Sequence, residues 1–280
     1  MRIFEIDQKK CTGCGICAEV CPVAVIELKG PGSFPVPDDK KVCINCGHCA
    51  VVCPFSALSL EKMPIDQCPP VQEEFFFTPL QLEHTIRRRR SIYAFADKAA
   101  DRETLNRAIE MARFAPVFSY NRPVNWIVVY EKNEVKRMVG MVINFLRSIR
   151  KREAFIGKQE FIIKALADYE AGVDTISRGA AHLIVTYTPK ADAFSAFSGV
   201  HMEANDCIAA LAYLELILPT FGLGSLKAGL FDHAVRLWPP LQNALGFPRT
   251  HTNCGAVWVG YPKYKYQRLP FRDKPAVTWR

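Results

Sequence analysis

The sequence predicts an α+β protein in two parts. A small cysteine-rich unit covers residues 1–62, a Pro-rich linker covers 63–84, and a larger domain with a central sheet flanked by helices covers 85–280. Three observations carry this division. Eight of the eleven cysteines crowd between Cys11 and Cys53. Pro64, Pro69, Pro70 and Pro79 interrupt the stretch after Met63, which has no helical period. Beyond it, helices and strands follow one another without the strict βαβ alternation of a parallel sheet.

With 49% hydrophobic, 23% charged and 11% aromatic residues over 280 positions, the composition excludes a disordered or collagen-like chain. The most apolar stretch, Cys207 to Leu218, carries Glu215 and stops at Pro219. That is short of the roughly 20 clean residues a bilayer requires, so no membrane partner is expected. The opening Met1-Arg2-Ile3-Phe4-Glu5 has no apolar h-region, which points to a cytoplasmic protein. Residues 1–62 hold seven Lys/Arg and seven Asp/Glu, so the formal net charge of +8 belongs wholly to residues 63–280. Such a balance suits an anionic ligand or an acidic partner. No helix-turn-helix, RRM or zinc-finger pattern supports nucleic acid.

The cysteines form two copies of one pattern, Cys11-x2-Cys14-x2-Cys17-x3-Cys21-Pro22 and Cys43-x2-Cys46-x2-Cys49-x3-Cys53-Pro54. This is the bacterial ferredoxin run for [4Fe–4S] clusters, in which the fourth cysteine reaches the other cluster. The expected ligand sets are therefore Cys11, Cys14, Cys17 with Cys53, and Cys43, Cys46, Cys49 with Cys21. Gly13, Gly15 and Gly47 supply the positive φ that such tight turns need. Zinc knuckles would show well-separated C-x2-C pairs instead. Short strands are expected at Ile3–Ile6, Val25–Leu28 and Ala57–Leu60, and a loop at Gly30–Pro37. Phe75-Phe76-Phe77 is expected to pack on one of the two domains.

In the larger domain Asp101 reads as an N-cap for a helix that buries Leu105, Ala108, Ile109 and Ala112. Trp126–Tyr130, Leu183–Thr188 and Gly255–Gly260 read as strands. Glu134–Arg152 shows an apolar stripe of Val135, Met138, Val139, Val142, Leu146 and Ile149, and a further helix is expected over Gln159–Ala171. Met202–Leu218 is apolar almost all round, which predicts a buried helix.

Three constellations carry candidate chemistry. Arg87-Arg88-Arg89-Arg90 alone reads as a solvated face or a nucleic-acid patch; with Ser91 it offers guanidinium groups and a hydroxyl for a phosphate. Ala115 to Trp126 is a polar loop whose amide and guanidinium groups suit a heterocycle. Phe221-Gly222-Leu223-Gly224-Ser225-Leu226-Lys227 is not a dinucleotide fingerprint, because Lys227 stands at the third glycine position, and it equally reads as a helix-ending turn. His84, His182, His201, His233 and His251 are scattered, and packing accounts for each.

The order of these segments resembles the ferredoxin-fused branch of the nitroreductase family. The resemblance rests on Arg89-Arg90-Ser91-Ile92, Ala115-Pro116 through Pro123-Val124-Asn125-Trp126, Gly222-Leu223-Gly224, Leu245-Gly246-Phe247-Pro248, Gly260-Tyr261-Pro262-Lys263-Tyr264 and the closing Arg268 to Pro275. It implies a ferredoxin-like two-cluster domain followed by a nitroreductase-like α+β domain that binds FMN as a homodimer. It also implies that Arg89, Arg90 and Ser91 hold the FMN phosphate with a C-terminal basic residue, Arg272 fitting best and Arg268 and Lys274 being the other candidates. Asn121, Gly222, Leu223 and Gly224 would approach the flavin. Tyr120 and Arg122, which depart from the family's usual Asn-x-Gln-Pro, would orient an acceptor. The implied activity is reduction of a nitro, quinone or enone acceptor, with a ferredoxin or NAD(P)H as donor. Electron transfer to a protein partner and reductive dehalogenation are the alternatives.

Overall fold

A computed structural model describes residues 3–117, 124–150, 159–190 and 202–280. The chain divides into two compact units, with the boundary between Phe76 and Phe77. In the first unit, β1 (Phe4–Ile6) pairs antiparallel with β4 (Leu58–Leu60), and β2 (Ile26–Glu27) pairs with β3 (Val36–Pro37). Two single-turn helices, α1 (Ile16–Glu19) and α2 (His48–Val51), sit at equivalent places in the two halves. Each is entered through a glycine with left-handed backbone, Gly15 at φ 80° and Gly47 at φ 79°. Such a φ is costly for any side chain with a Cβ. The small core holds Phe4, Val25, Ile26, Ala50, Leu58 and Leu60. Part of the segment Gly30–Pro37, expected as loop, closes the β2–β3 pair.

In the second unit an antiparallel sheet runs β5–β6–β8–β7, formed by Asn125–Val129, His182–Pro189, His251–Gly260 and Gly224–Lys227. Helices cover both of its faces. On one side α5 (Lys132–Ile149), α8 (Gly229–Leu237) and α9 (Pro239–Leu245) meet Leu183, Val185, Ala256 and Trp258. On the other, α4 (Arg102–Ala112) and α7 (Met202–Ile217) meet Ile184, Val257 and Val259. Burial on both faces explains why β6 and β8 read as nearly continuous apolar runs. The Asp101 carboxylate caps α4 by accepting from the Thr104 amide at 2.7 Å. α6 (Gln159–Glu170) packs against α5.

Four expectations change. A helix, α3 (Pro79–Arg88), begins inside the segment read as linker. Thr78 and Gln81 form a reciprocal capping box, and Pro79 occupies a first-turn position where its missing N–H costs nothing. Phe75, Phe76 and Phe77 are exposed, between 66% and 73%, rather than packed. α7 is not buried all round. Leu211, Leu214 and Leu218 face the sheet, while Ile208 and Tyr213 face outward at 54% and 42% exposure. The span Ala204–Phe221 is long and apolar enough to cross a bilayer by length and composition alone, but that buried face is committed to the sheet. Finally, Gly224–Lys227 is an edge strand, not only a turn.

A β-bulge interrupts the β6–β8 ladder, where Thr186 pairs with Gly255 but Tyr187 pairs with Asn253. The extra residue, Cys254, contacts Cys207 of α7, and Asn253 is turned to the α8 face. There Asp232 accepts from Asn253 Nδ2 and from the Ala256 amide, each at 3.2 Å. Burial pushes the Asp232 carboxyl up to about 6 against those two hydrogen bonds. The raised value means the fold holds this proton more tightly than the unfolded chain, so its stabilising contribution is full below pH ~4 and is lost as pH rises through ~6. Asp232→Asn, which mimics the protonated acid, should therefore gain on the native protein by about 1 kcal/mol between pH 5 and pH 7 in urea unfolding.

At the sheet edge the Ile92 amide donates to Ser225 O at 2.9 Å, and the segment after α3 runs beside β7. Gly224 permits that approach: a Cβ there would collide with Ile92 Cγ1 and lie 3.3 Å from Pro262 Cγ. Gly224→Ala should lower the unfolding free energy of the domain by about 1–3 kcal/mol, read from thermal unfolding.

Candidate functional site

The two cysteine runs build two separate cavities inside the first unit. One is lined by Cys11, Cys14, Cys17 and Cys53. The other is lined by Cys21, Cys43, Cys46 and Cys49. Each set thus draws three thiols from one run and the fourth from the other. The fourth thiol is fixed by backbone: the Val25 amide donates to Cys21 Sγ at 3.4 Å and the Ala57 amide to Cys53 Sγ at 3.3 Å. In the second run Asn45 takes the left-handed backbone that Gly13 has in the first, and its amide donates to Cys43 Sγ at 3.4 Å.

The electrostatics divide the thiols in the same way. Burial, then Cys46, Cys21 and Cys43, push the Cys49 thiol up to about 11. Burial, with Cys11 and Cys14 adding, raises Cys17. Thiols crowded like this are stabilised as thiolates only by a cationic centre among them. Among the described residues no three His, Cys, Asp or Glu side chains converge as a single-ion site requires. The thiols surround a space rather than a point, which fits a cluster with a metal at each corner better than one zinc ion.

The second unit carries a groove of about 500 Å³ beside the edge strand β7. Gly222, Leu223 and Gly224 line it, with Gly222 in the left-handed region at φ 73°. Four cations also line it: Arg88, Arg90, Lys263 and Lys265. Arg89 is turned the other way. Its Nη1 lies 3.9 Å from Glu215 Oε1, and Ser225 Oγ donates to the same oxygen at 3.2 Å. Arg89 ends α3 in extended backbone (φ −61°, ψ 127°), where neighbouring side chains project to opposite sides. Ser91 bridges to Ser225 at the sheet edge and does not itself line the groove.

Of the C-terminal cations expected there, Arg268, Arg272 and Lys274 are exposed on the tail and away from the groove lining. Lys263 and Lys265 take that place, alternating with Tyr264 and Tyr266. Their signal lay in the basic–aromatic alternation that follows the last strand. Arg88 was visible only as one of four consecutive arginines, because the end of α3 decides which of them share a side. Tyr120, Asn121 and Arg122 lie outside the described residues, as does His201. His182 is a packing residue: its Nε2 accepts from the Ala100 amide and its Nδ1 meets Tyr130 O, both at 2.9 Å. Burial lowers its pKa, in keeping with a neutral ring.

Comparison with known proteins agrees with this geometry. A relative from Archaeoglobus fulgidus, provisionally named NADH dehydrogenase/NAD(P)H nitroreductase, is 25% identical over 175 residues, 62% of this chain and 82% of its own. A nitroreductase with bound FMN from Desulfitobacterium hafniense matches with a TM-score of 0.53 at 19% identity, covering 70% of this chain and 97% of that one. A nitroreductase with bound FMN from Bacteroides fragilis matches with a TM-score of 0.51 at 17% identity, over 70% and 95%. These two structures share the fold. The 4Fe-4S dicluster domain model matches residues 10–57, and the nitroreductase family model matches residues 86–261, more than half of the chain. The chain belongs to the nitroreductase family and carries a 4Fe-4S dicluster domain at its N-terminal end.

Proposed function

We propose that this chain is an FMN-dependent oxidoreductase that receives electrons through two [4Fe–4S] clusters of its own and reduces a small organic acceptor of the nitroaromatic, quinone or enone type. The observation that carries the reading is the pairing, in one nitroreductase-family chain, of two four-thiol cavities with a basic groove at a glycine turn. A reduced ferredoxin or NAD(P)H is the donor. The clusters supply one-electron steps and FMN, when bound, both one- and two-electron chemistry.

The chain's own residues have definite parts in this. Cys11, Cys14, Cys17 and Cys53 hold one cluster; Cys21, Cys43, Cys46 and Cys49 hold the other. Arg88 and Arg90 grip the FMN phosphate with Lys263 and Lys265. Arg89, paired with Glu215, fixes the turn that presents its neighbours. Gly222, in left-handed backbone, has no side chain to hold a flavin off the turn. Asn121 contacts the ring and Tyr120 and Arg122 orient the acceptor oxygen.

The active form is a homodimer. α3 buries no residue, and its Leu80, Leu82 and Ile86 are exposed together with Ile208 and Tyr213 of α7. The tail adds Phe271 at 86% and Trp279 at 90% exposure. Apolar surface in this amount calls for a partner, and a second copy, carrying the same surface, is self-complementary. Arg268 and Arg272 on that tail complete the phosphate grip of the second copy. The wild-type protein should run as a dimer in light scattering, and Ile208→Glu with Tyr213→Glu should run as a monomer with most of its flavin lost. A wild-type monomer that keeps its flavin would refute the dimer.

The functional test is an anaerobic reductive titration with iron and flavin analysis. About eight iron atoms and one FMN per chain are expected, with cluster signals appearing before the flavin bleaches under reduced ferredoxin. Cys53→Ala should lose the cluster signal tied to Cys11, Cys14 and Cys17 and about half the iron while keeping FMN. A protein without flavin, or a Cys53 variant that loses the other cluster, would sink the reading.

A further inference from the structure

The sheet has a second chemically distinctive place at the opposite end of β8. A cavity of about 480 Å³ opens where α8 and α9 meet the start of β8, a size within the range of small-molecule sites. It is far from the groove. Asn253 lines the cavity, whereas Gly260 pairs with Gly224 of the groove, and the seven residue steps between them span on the order of 23 Å of strand.

The lining is cationic and rich in amides. Lys190, Arg236 and Arg249 contribute positive charge, and no carboxylate is among the described lining residues. Gln242 and Asn243 of α9 add amides. The cations are held by structure: the Lys190 amide donates to Thr250 O at 2.8 Å. The turn carrying Arg249 is clamped by Tyr187, whose ring stacks on Phe247 at 5.6 Å and meets His251 edge-on at 5.5 Å.

The second, independent observation is Asn253. It is 4% exposed, and its Oδ1 is buried without a hydrogen-bond partner. With Asp232 ionised, as it is at neutral pH, the amide orientation follows from its partner: the Nδ2 end donates to the Asp232 carboxylate at 3.2 Å, which the oxygen end cannot do. The oxygen is therefore the end left over. Leaving a buried acceptor unsatisfied forfeits its hydration with nothing in return, so a ligand donor is favoured there. The bulge at Cys254 is what brings this side chain to the cavity side of the sheet, and bulges that re-aim a side chain cluster beside functional sites.

We propose that this cavity is a second ligand site, separate from the groove, for a phosphorylated small molecule that also carries an N–H or O–H donor. Its phosphate groups pair with Arg236, Arg249 and Lys190, and its donor satisfies Asn253 Oδ1. Guanidinium pairs favour phosphate through bidentate hydrogen bonds, and the orphaned acceptor selects against a bare inorganic anion. The inference stands whether or not the redox reading above is correct.

The test uses full-length protein with its cofactors, titrated calorimetrically with ADP and with inorganic pyrophosphate at fixed ionic strength. ADP should bind about tenfold or more tightly than pyrophosphate, without releasing flavin or changing its absorbance. Arg236→Gln with Arg249→Gln should weaken both by at least about tenfold. Arg107→Gln, on the exposed side of α4 and outside both sites, should leave both affinities unchanged. Should the double variant lose its near-ultraviolet circular dichroism, Lys190→Gln, on an exposed side chain, takes its place and should weaken ADP by about threefold or more. Four results would each overturn the proposal: no saturable heat with millimolar ADP, flavin release by ADP, equal affinity for the two probes, or affinity unaffected by the cavity variants.

Discussion

The larger domain depends on the double-sided burial of β8. Every residue from Asn253 to Gly260 is buried, with α8 packed on one face and α7 on the other. A strand in that position has no solvent face on which to carry function, so chemistry is displaced to its ends. At the Gly260 end the neighbouring β7 is a sheet edge, and the chain leaving α3 lays its arginines beside it. At the His251 end the bulge breaks the alternation and frees one polar side chain from the core pattern. The same interior strand thus fixes where both basic concavities can form, because loops and helix ends are the only places left for exposed charge.

The first unit answers to a different constraint. Its apolar core is a handful of side chains, as in other domains of about this size whose hydrophobic stabilisation is marginal. The cysteines supply the missing interactions: each four-thiol set joins both halves of the repeat, so a metal centre in either set ties the two halves together. Exchange of the fourth cysteine links the halves twice over, since Cys53 joins the first run's thiols and Cys21 the second's.

Much of this was legible in the residues because it rests on local spacing. The cysteine period, the Asp101 cap and the α5 stripe each follow from distances of a few residues along the chain. The exposed face of α7 was not legible. Ile208 and Tyr213 are as apolar as their buried neighbours, and only the position of the sheet tells the two faces apart. The β7 strand was hidden by its glycines, which read as a turn until the close approach of Ile92 shows why Gly224 is needed in a strand. The groove was legible in part. Gly222, Leu223, Gly224 and Arg90 lie in its lining, but the arginine pairing depends on where α3 ends, and Lys263 and Lys265 depend on the path of the chain after β8.

Glu215 shows how these layers act together. A carboxylate this deeply buried, in the apolar Cys207–Ile217 stretch of α7, is costly unless it is paired and hydrogen-bonded. Ser225 on the edge strand and Arg89 at the end of α3 provide those partners, so one side chain of α7 ties together the sheet edge and the arginine segment. The cost of burying the charge is offset only if Arg89 stays turned inward. That requirement, through the alternation of an extended backbone, sends Arg88 and Arg90 outward together. The basic character of the groove is therefore not a surface accident of four consecutive arginines. It follows from one buried acid that holds back one of them and so fixes which of the others face the groove.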